Sequence, residues 1–175
     1  MKVWYRLIPP FLIALMLDGL TKIWALQNLE PFQPVSVIGE FFRLTLGYNT
    51  GVAFGLFANG GIWPIIVTGI VILGLMFWLT NALRRGDFPA MAAWPMGFLL
   101  GGAIANFADR LIDGQVVDFL DVGLGTMRWP TFNIADSFIV LSLVTLMTMS
   151  LKSDQAKQAK NDKQPDESLS ETESL

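Results

Sequence analysis

In a chain this apolar, the informative residues are the ionisable and amide side chains set inside or beside its hydrophobic stretches. Each ionisable group at membrane depth costs about 2.5 to 3.5 kcal/mol on insertion scales, so its presence asks for a reason. Asp18 and Lys22 stand four residues apart in the first stretch, and on a helix they share a face and can neutralise each other. Asn106, Asp109 and Arg110 close the third stretch at i, i+3 and i, i+4 spacing. Counted from Pro130, Asp136 lies within about two turns of the start of the fourth, roughly 9 Å in, with Ile134, Ala135, Phe138 and Ile139 around it. An acid there can serve as a first-turn cap, but Asn133 is the better capping residue. Asp118 and Asp121 occupy Gln115-Val116-Val117-Asp118-Phe119-Leu120-Asp121. Strand alternation turns them to opposite faces, one toward the membrane and the other solvated, without saying which.

Two carboxylates held together at a low-dielectric boundary cannot both ionise easily, so the pair keeps a single proton. The ionised member can take a proton from water as it attacks a carbonyl, while the protonated member polarises that carbonyl or protonates the leaving amine. That is aspartic peptidase chemistry, and it needs no metal. The sequence has no His and no Cys. Histidine-based nucleophile pairs, thiolate catalysis, disulfides and iron–sulfur ligation are therefore excluded.

The elements that position these residues follow from composition. Of 175 residues, 53% are apolar and 15% charged, which points to a membrane protein. Four stretches have the roughly 20 apolar residues that a helix needs to cross the hydrocarbon core, about residues 7–26, 62–80, 88–108 and 132–151. Asp18 and Lys22 interrupt the first, and Trp24-Ala25-Leu26-Gln27 offers no small-x-small site, so it reads as an uncleaved span. Residues 1–151 form one membrane domain. Residues 152–175, rich in Gln, Lys, Asp, Glu and Ser, read as a disordered tail. With the tail set aside the body is nearly neutral, which excludes the clustered basic surface of a nucleic-acid partner.

Lys2, Arg6, Arg84, Arg85 and the tail lysines lie on one side of a four-span chain, so both termini are expected in the cytoplasm. The two loops on the other side carry β-branched and aromatic runs at 35–38, 41–46 and 116–120, expected as short strands of a small outer sheet. Gly97, Gly101 and Ala105, four residues apart, give the third helix a face that another helix can approach closely. On this layout Asp18, Lys22, Asn49, Asn106, Arg110, Asp118 and Asp136 all fall at the outer level.

The chain resembles the bacterial prolipoprotein signal peptidase (signal peptidase II) family over about residues 5–151. The matching blocks are Asp18-x-x-x-Lys22, Asn49-Thr-Gly-Val-Ala-Phe54-Gly55, Gly101-Gly-Ala-Ile-Ala-Asn106-Phe-Ala-Asp109-Arg110, Val116-Val-Asp118-Phe119 and Trp129-Pro-Thr-Phe-Asn133-Ile-Ala-Asp136-Ser137. Ala105, where the family commonly has Gly, and Val52, where Ala is frequent, are mild departures. The resemblance implies a four-helix membrane fold with a periplasmic β-cradle, and a catalytic dyad of Asp118 and Asp136. It implies that Asn49, Asn106, Arg110 and Asn133 position the dyad and substrate, with Asp18 and Lys22 in support, and that no metal or cofactor takes part. It further implies cleavage of diacylglyceryl-modified prolipoproteins just before the lipid-bearing Cys, at the outer face of the bacterial inner membrane, with membrane lipid as the surroundings. Phe54, Trp63 and Trp129 could supply apolar surface for the lipid.

Three other readings stand beside this one. A Ser-Lys dyad, with Lys22 as the base for Ser137, requires Ser137→Ala to abolish cleavage, and that loss is not expected. A transporter using Asp18, Asp109 and Asp136 is expected to show internal repeats and midplane charge, and the sequence has neither. A membrane scaffold would tolerate loss of both dyad carboxylates.

Overall fold

The computed structural model describes residues 4–52, 56–86 and 89–161. The chain has four long apolar helices and a four-stranded antiparallel sheet, with one strand pair between the first and second helices and the other between the third and fourth. Helix α1 spans Trp4–Asn28, α2 Trp63–Arg85, α3 Ala93–Asp113 and α4 Ile134–Asn161, with a 3-10 turn at Ala90–Ala92 leading into α3. Each helix is long and apolar enough to cross a membrane. Phe88 and Phe54 lie outside the described residues.

Helix α3 is central and packs against α1, α2 and α4. The small residues expected to allow close approach do so on two sides. A Cβ on Gly101 would stand 2.6 Å from the Phe11 carbonyl oxygen, and one on Gly97 would collide with the Leu7 carbonyl, so this edge of α3 lies directly against α1. A Cβ on Gly102 would stand 2.6 Å from the Ala135 carbonyl oxygen, so the next edge lies directly against α4. In lipid, such packing rather than exclusion of water holds helices together. Leu7, Ile72, Leu79, Met96, Leu99, Leu100 and Leu146 fill the space between the four helices.

The outer loops form the sheet. Strand β1 is Val35–Ile38, β2 Phe42–Asn49, β3 Val116–Leu124 and β4 Met127–Arg128, in that spatial order. Strands β2 and β3 run past the β-rich runs in the sequence, because their mutual pairing carries order through Gly47 to Asn49 and through Asp121 and Val122, and pairing with β4 extends β3 to Leu124. One irregularity matters for the site. Between the pairs Leu44↔Leu120 and Gly47↔Asp118 the register shifts, with Thr45 and Leu46 of β2 opposite Phe119 alone. Such a bulge re-aims side chains locally. Leu46 is buried with Ala25, Leu29 and Phe119 where α1 meets the sheet.

Two glycines end helices. Gly86 and Gly114 both adopt φ 70°, a left-handed conformation that a side chain disfavours, and the Gly114 N–H donates to the Arg110 carbonyl at 3.1 Å. The turn at Asp113-Gly114 sends the chain from α3 into β3.

Two expectations need correction. Helix α4 continues to Asn161, so the first ten residues of the segment read as a disordered tail are helical. Ala, Lys and Gln are good helix formers, and elongating an existing helix avoids the cost of nucleation. Residues 162–175 lie outside the described residues. The other correction concerns Asp121, expected to be solvated if Asp118 faces the membrane. It is buried, because Arg43 and Arg128 cover it from the neighbouring strands.

Candidate active site

The end of α3, the start of α4, β3 and the last third of α1 meet at one end of the helical bundle. A short backbone clasp brings β3 to α4. Phe132 and Leu120 exchange hydrogen bonds, N to O, at 3.0 and 2.8 Å, and the Phe119 N–H also donates to the Phe132 carbonyl at 3.0 Å. Asn133 follows immediately, so Asp118 on the strand and Asp136 on the helix are held within the reach of one amide side chain.

Asn133 caps α4. Its Oδ1 accepts the Asp136 N–H at 2.9 Å, and Asp136 Oδ2 accepts the Asn133 N–H at 3.2 Å. This is the reciprocal capping arrangement, with an aspartate at the third helical position. Asp136 therefore takes part in the cap alongside Asn133. One carboxylate oxygen caps the helix while the other, Oδ1, accepts from Asn106 Nδ2 at 2.8 Å. Asp18 completes the helix start by accepting the Ala135 N–H at 2.9 Å, which ties α1 to α4.

The buried ammonium of Lys22 organises the rest. It lies 2.6 Å from Asp18 Oδ2, 2.6 Å from Asp109 Oδ2 and 2.9 Å from Asn106 Oδ1. An ammonium has three N–H groups and no acceptor, so these three contacts use all of it. They also fix the Asn106 amide, whose oxygen must face Lys22 and whose Nδ2 must face Asp136. Asn133 Nδ2 adds a 3.1 Å bond to the same Asn106 oxygen and donates to Asp118 Oδ1 at 2.8 Å. Lys22, Asn106, Asn133, Asp118 and Asp136 thus form one connected polar network within apolar helices.

Arg110 serves a different part. It is buried, and its Nε and Nη2 donate to the Gly51 carbonyl at 3.2 and 2.6 Å while Nη1 donates to the Asn106 carbonyl at 2.9 Å. It thereby holds the turn after β2 against the end of α3. Asn49, whose Oδ1 accepts the Gly51 N–H at 2.9 Å, has its side chain also acting on the Asp118 carboxyl. All eight site residues expected from the sequence, Asp18, Lys22, Asn49, Asn106, Arg110, Asp118, Asn133 and Asp136, are brought to this one place.

Asp118 is buried, and desolvation followed by the nearby Asp136 charge pushes its carboxyl up to about 7, against the pull of Lys22, Asn133 and Asn49. It is a carboxyl able to carry a proton at neutral pH.

The Ser-Lys arrangement is not formed. Ser137 Oγ donates to the Asn133 carbonyl at 3.0 Å, inside its own helix, and the Lys22 ammonium is used by Asp18, Asp109 and Asn106.

Two contributors were not assigned from sequence. Asp109 joins the Lys22 ion pair, for which its i, i+3 spacing from Asn106 was a signal. Asp121 anchors the sheet. It accepts from Thr45 Oγ1 at 2.7 Å, Arg43 Nε at 3.2 Å and Arg128 Nε at 2.5 Å, and Arg128 Nη1 reaches the Glu40 carbonyl at 2.9 Å. No local pattern reveals that group, since its members come from three strands and a turn. Trp63 and Trp129 are exposed at this end of the molecule.

Comparison with known proteins places the chain among related membrane enzymes. The family model described as signal peptidase (SPase) II matches residues 11–152. A lipoprotein signal peptidase of Xylella fastidiosa strain M12 is 39% identical over 139 residues, covering 77% of this chain and 81% of that protein. One of Xanthomonas campestris pathovar campestris strain 8004 is 41% identical over 132 residues, covering 73% and 77%. A solved structure described as a bacterial membrane enzyme, obtained by the in meso method at 2.3 Å resolution, superposes with a TM-score of 0.72 at 26% identity, covering 85% of this chain and 88% of that one.

Proposed function

The chain belongs to the signal peptidase II family, and from that premise we propose that it is a membrane protease that removes the signal peptides of prolipoproteins, by an aspartic mechanism at Asp118 and Asp136. The observation that carries the mechanism is the asparagine brace. Asn133 donates to Asp118 and Asn106 donates to Asp136, while the two amides are bonded to each other. Neither carboxylate can swing away without breaking a hydrogen bond to one of these amides.

A pair so held carries one proton. The ionised carboxylate takes a proton from water as the water oxygen bonds to the scissile carbonyl carbon, and the protonated carboxyl polarises the carbonyl oxygen. The C–N bond then breaks as the leaving amine takes up a proton, and the pair returns to its starting state.

We assign the substrate as prolipoprotein bearing a diacylglyceryl-modified Cys, cut on the N-terminal side of that residue. A signal helix and acyl chains lie in the bilayer, which sets the scissile bond at the interface, the level of the α4 start. We place the protein in the bacterial inner membrane with both termini cytoplasmic and the sheet on the periplasmic side. Arg84 and Arg85 end α2 at the opposite end of the bundle from the sheet. Of the arginines at the sheet end, Arg43 and Arg128 are paired with Asp121 and Arg110 is turned inward. The free basic charge thus favours the non-sheet end as cytoplasmic.

The test is cleavage of a diacylglyceryl-modified prolipoprotein by the protein in membranes, with Asp118→Asn and Asp136→Asn beside the parent. Loss of cleavage in both supports the dyad, and full activity in either overturns it. Cleavage of the unmodified precursor at an equal rate would overturn the substrate assignment.

A further inference from the structure

The two aspartates sit in unequal surroundings, and the inequality separates their roles. Asp136 is at the third position of α4, where the helix dipole favours a negative charge. Both of its oxygens accept N–H donors, Oδ2 from the backbone of Asn133 and Oδ1 from Asn106. Neither donor can reverse. The backbone N–H is fixed, and the Asn106 amide is oriented by the Lys22 ammonium on its oxygen. Asp118 has no helix end behind it. It lies on β3, is 3% exposed, and is met by the side-chain amides of Asn133 and Asn49, whereas Asp136 is only partly buried.

The charged groups around the pair are Asp18 and Lys22 from α1 and Asp109 and Arg110 from α3. Lys22 is spent on Asp18 and Asp109, and Arg110 is turned to carbonyl oxygens. Among the described residues no cation is bonded directly to the pair, so a shared proton is what offsets its charge at closest range.

Resting on the dyad reading above, we propose that Asp136 is the ionised member that activates water and Asp118 is the member that holds the proton before cleavage begins. In the forward step a water proton passes to Asp136, the water oxygen bonds to the carbonyl carbon, and the Asp118 proton passes to the carbonyl oxygen. In the second step the C–N bond breaks, Asp136 gives its proton to the leaving nitrogen, and Asp118 recovers one from the hydroxyl. One water is consumed, and both carboxyls return to their starting states. The raised carboxyl of Asp118, about 7, agrees with this division.

The experiment is carbon-13 NMR of aspartate carboxyls in the full-length protein in lipid nanodiscs, titrated from pH 4 to 9. The parent is expected to show one carboxyl titrating near neutrality. That transition disappears in Asp118→Asn. In Asp136→Asn it persists at lower pH, because the repelling charge is gone. The reverse pattern, or the same transition in both variants, overturns the assignment.

Asn106→Ser provides a second readout through the pH dependence of kcat/KM. Loss of a donor to an ionised Asp136 moves the acidic limb to higher pH and leaves the basic limb in place. A shift of the basic limb instead overturns the proposal. Failure of the dyad itself would look different, since one or both Asn variants would then cleave at the parental rate.

Discussion

Asn106 and Asn133 are bonded to each other at 3.1 Å, Nδ2 of the second to Oδ1 of the first, and each hands an N–H to a different aspartate. The link joins α3 to the start of α4 and sets the relation between Asp118 and Asp136. Asn133→Ala is expected to lower kcat by about 100-fold or more, in the range ascribed to a positioned acid or base. It also removes the α4 cap, at about 1 kcal/mol. Cleavage kinetics and thermal unfolding in the same detergent separate the two effects.

Lys22 sits between Asp18 and Asp109 with all three N–H groups used. Lys22→Met leaves the buried Asp18 and the partly buried Asp109 without their cation and is expected to destabilise by about 3 kcal/mol. Adding Asp18→Asn and Asp109→Asn should recover much of that loss, measured as a thermodynamic cycle of unfolding midpoints.

The α1 and α3 backbones are in contact at Gly101, where an added Cβ meets the Phe11 carbonyl oxygen at 2.6 Å. Gly101→Val should cost about 1 to 3 kcal/mol through overpacking. Gly74→Ala on α2, where a Cβ meets nothing within 4 Å, should stay within about 0.5 kcal/mol of the parent. Equal effects at the two glycines would contradict the packing described.

Asp121 and Asp118, three residues apart on one strand, are expected to act oppositely with pH. Burial works against the Asp121 charge, but hydrogen bonds from Arg128, Thr45 and Arg43 outweigh it and hold that carboxyl below its ordinary value of 3.8. Its contribution to stability is present above that value and is lost as pH falls through the lowered one. Asp118, raised to about 7, stabilises the fold when protonated, and that contribution is lost as pH rises from 3.8 through about 7. Unfolding midpoints across pH should lose their decline toward neutrality in Asp118→Asn and their acid-side decline in Asp121→Asn.

Cleavage by the parent should fall as pH rises above about 7, when Asp118 gives up the proton that the reaction requires. A pH–rate profile flat from 6 to 9 would contradict the role given to that proton.

The sequence by itself determined the spans, the place of each polar residue along them and the absence of histidine and cysteine chemistry. Hydrophobic length is a property of consecutive residues, and so is the i, i+4 spacing that pairs Asp18 with Lys22. The order of blocks from Asp18 to Ser137 also pointed to the family before any fold was known. Alternation could not choose between Asp118 and Asp121, because both are buried and the choice depends on what meets each face. The Phe132–Leu120 clasp and the Asn133 amide bring Asp118 to the start of α4, and two arginines from neighbouring strands claim Asp121. Those partners come from other segments of the chain and are fixed by strand register and helix packing. Long-range hydrogen bonds between the elements, rather than spacing along any one of them, make the scattered polar residues a single site.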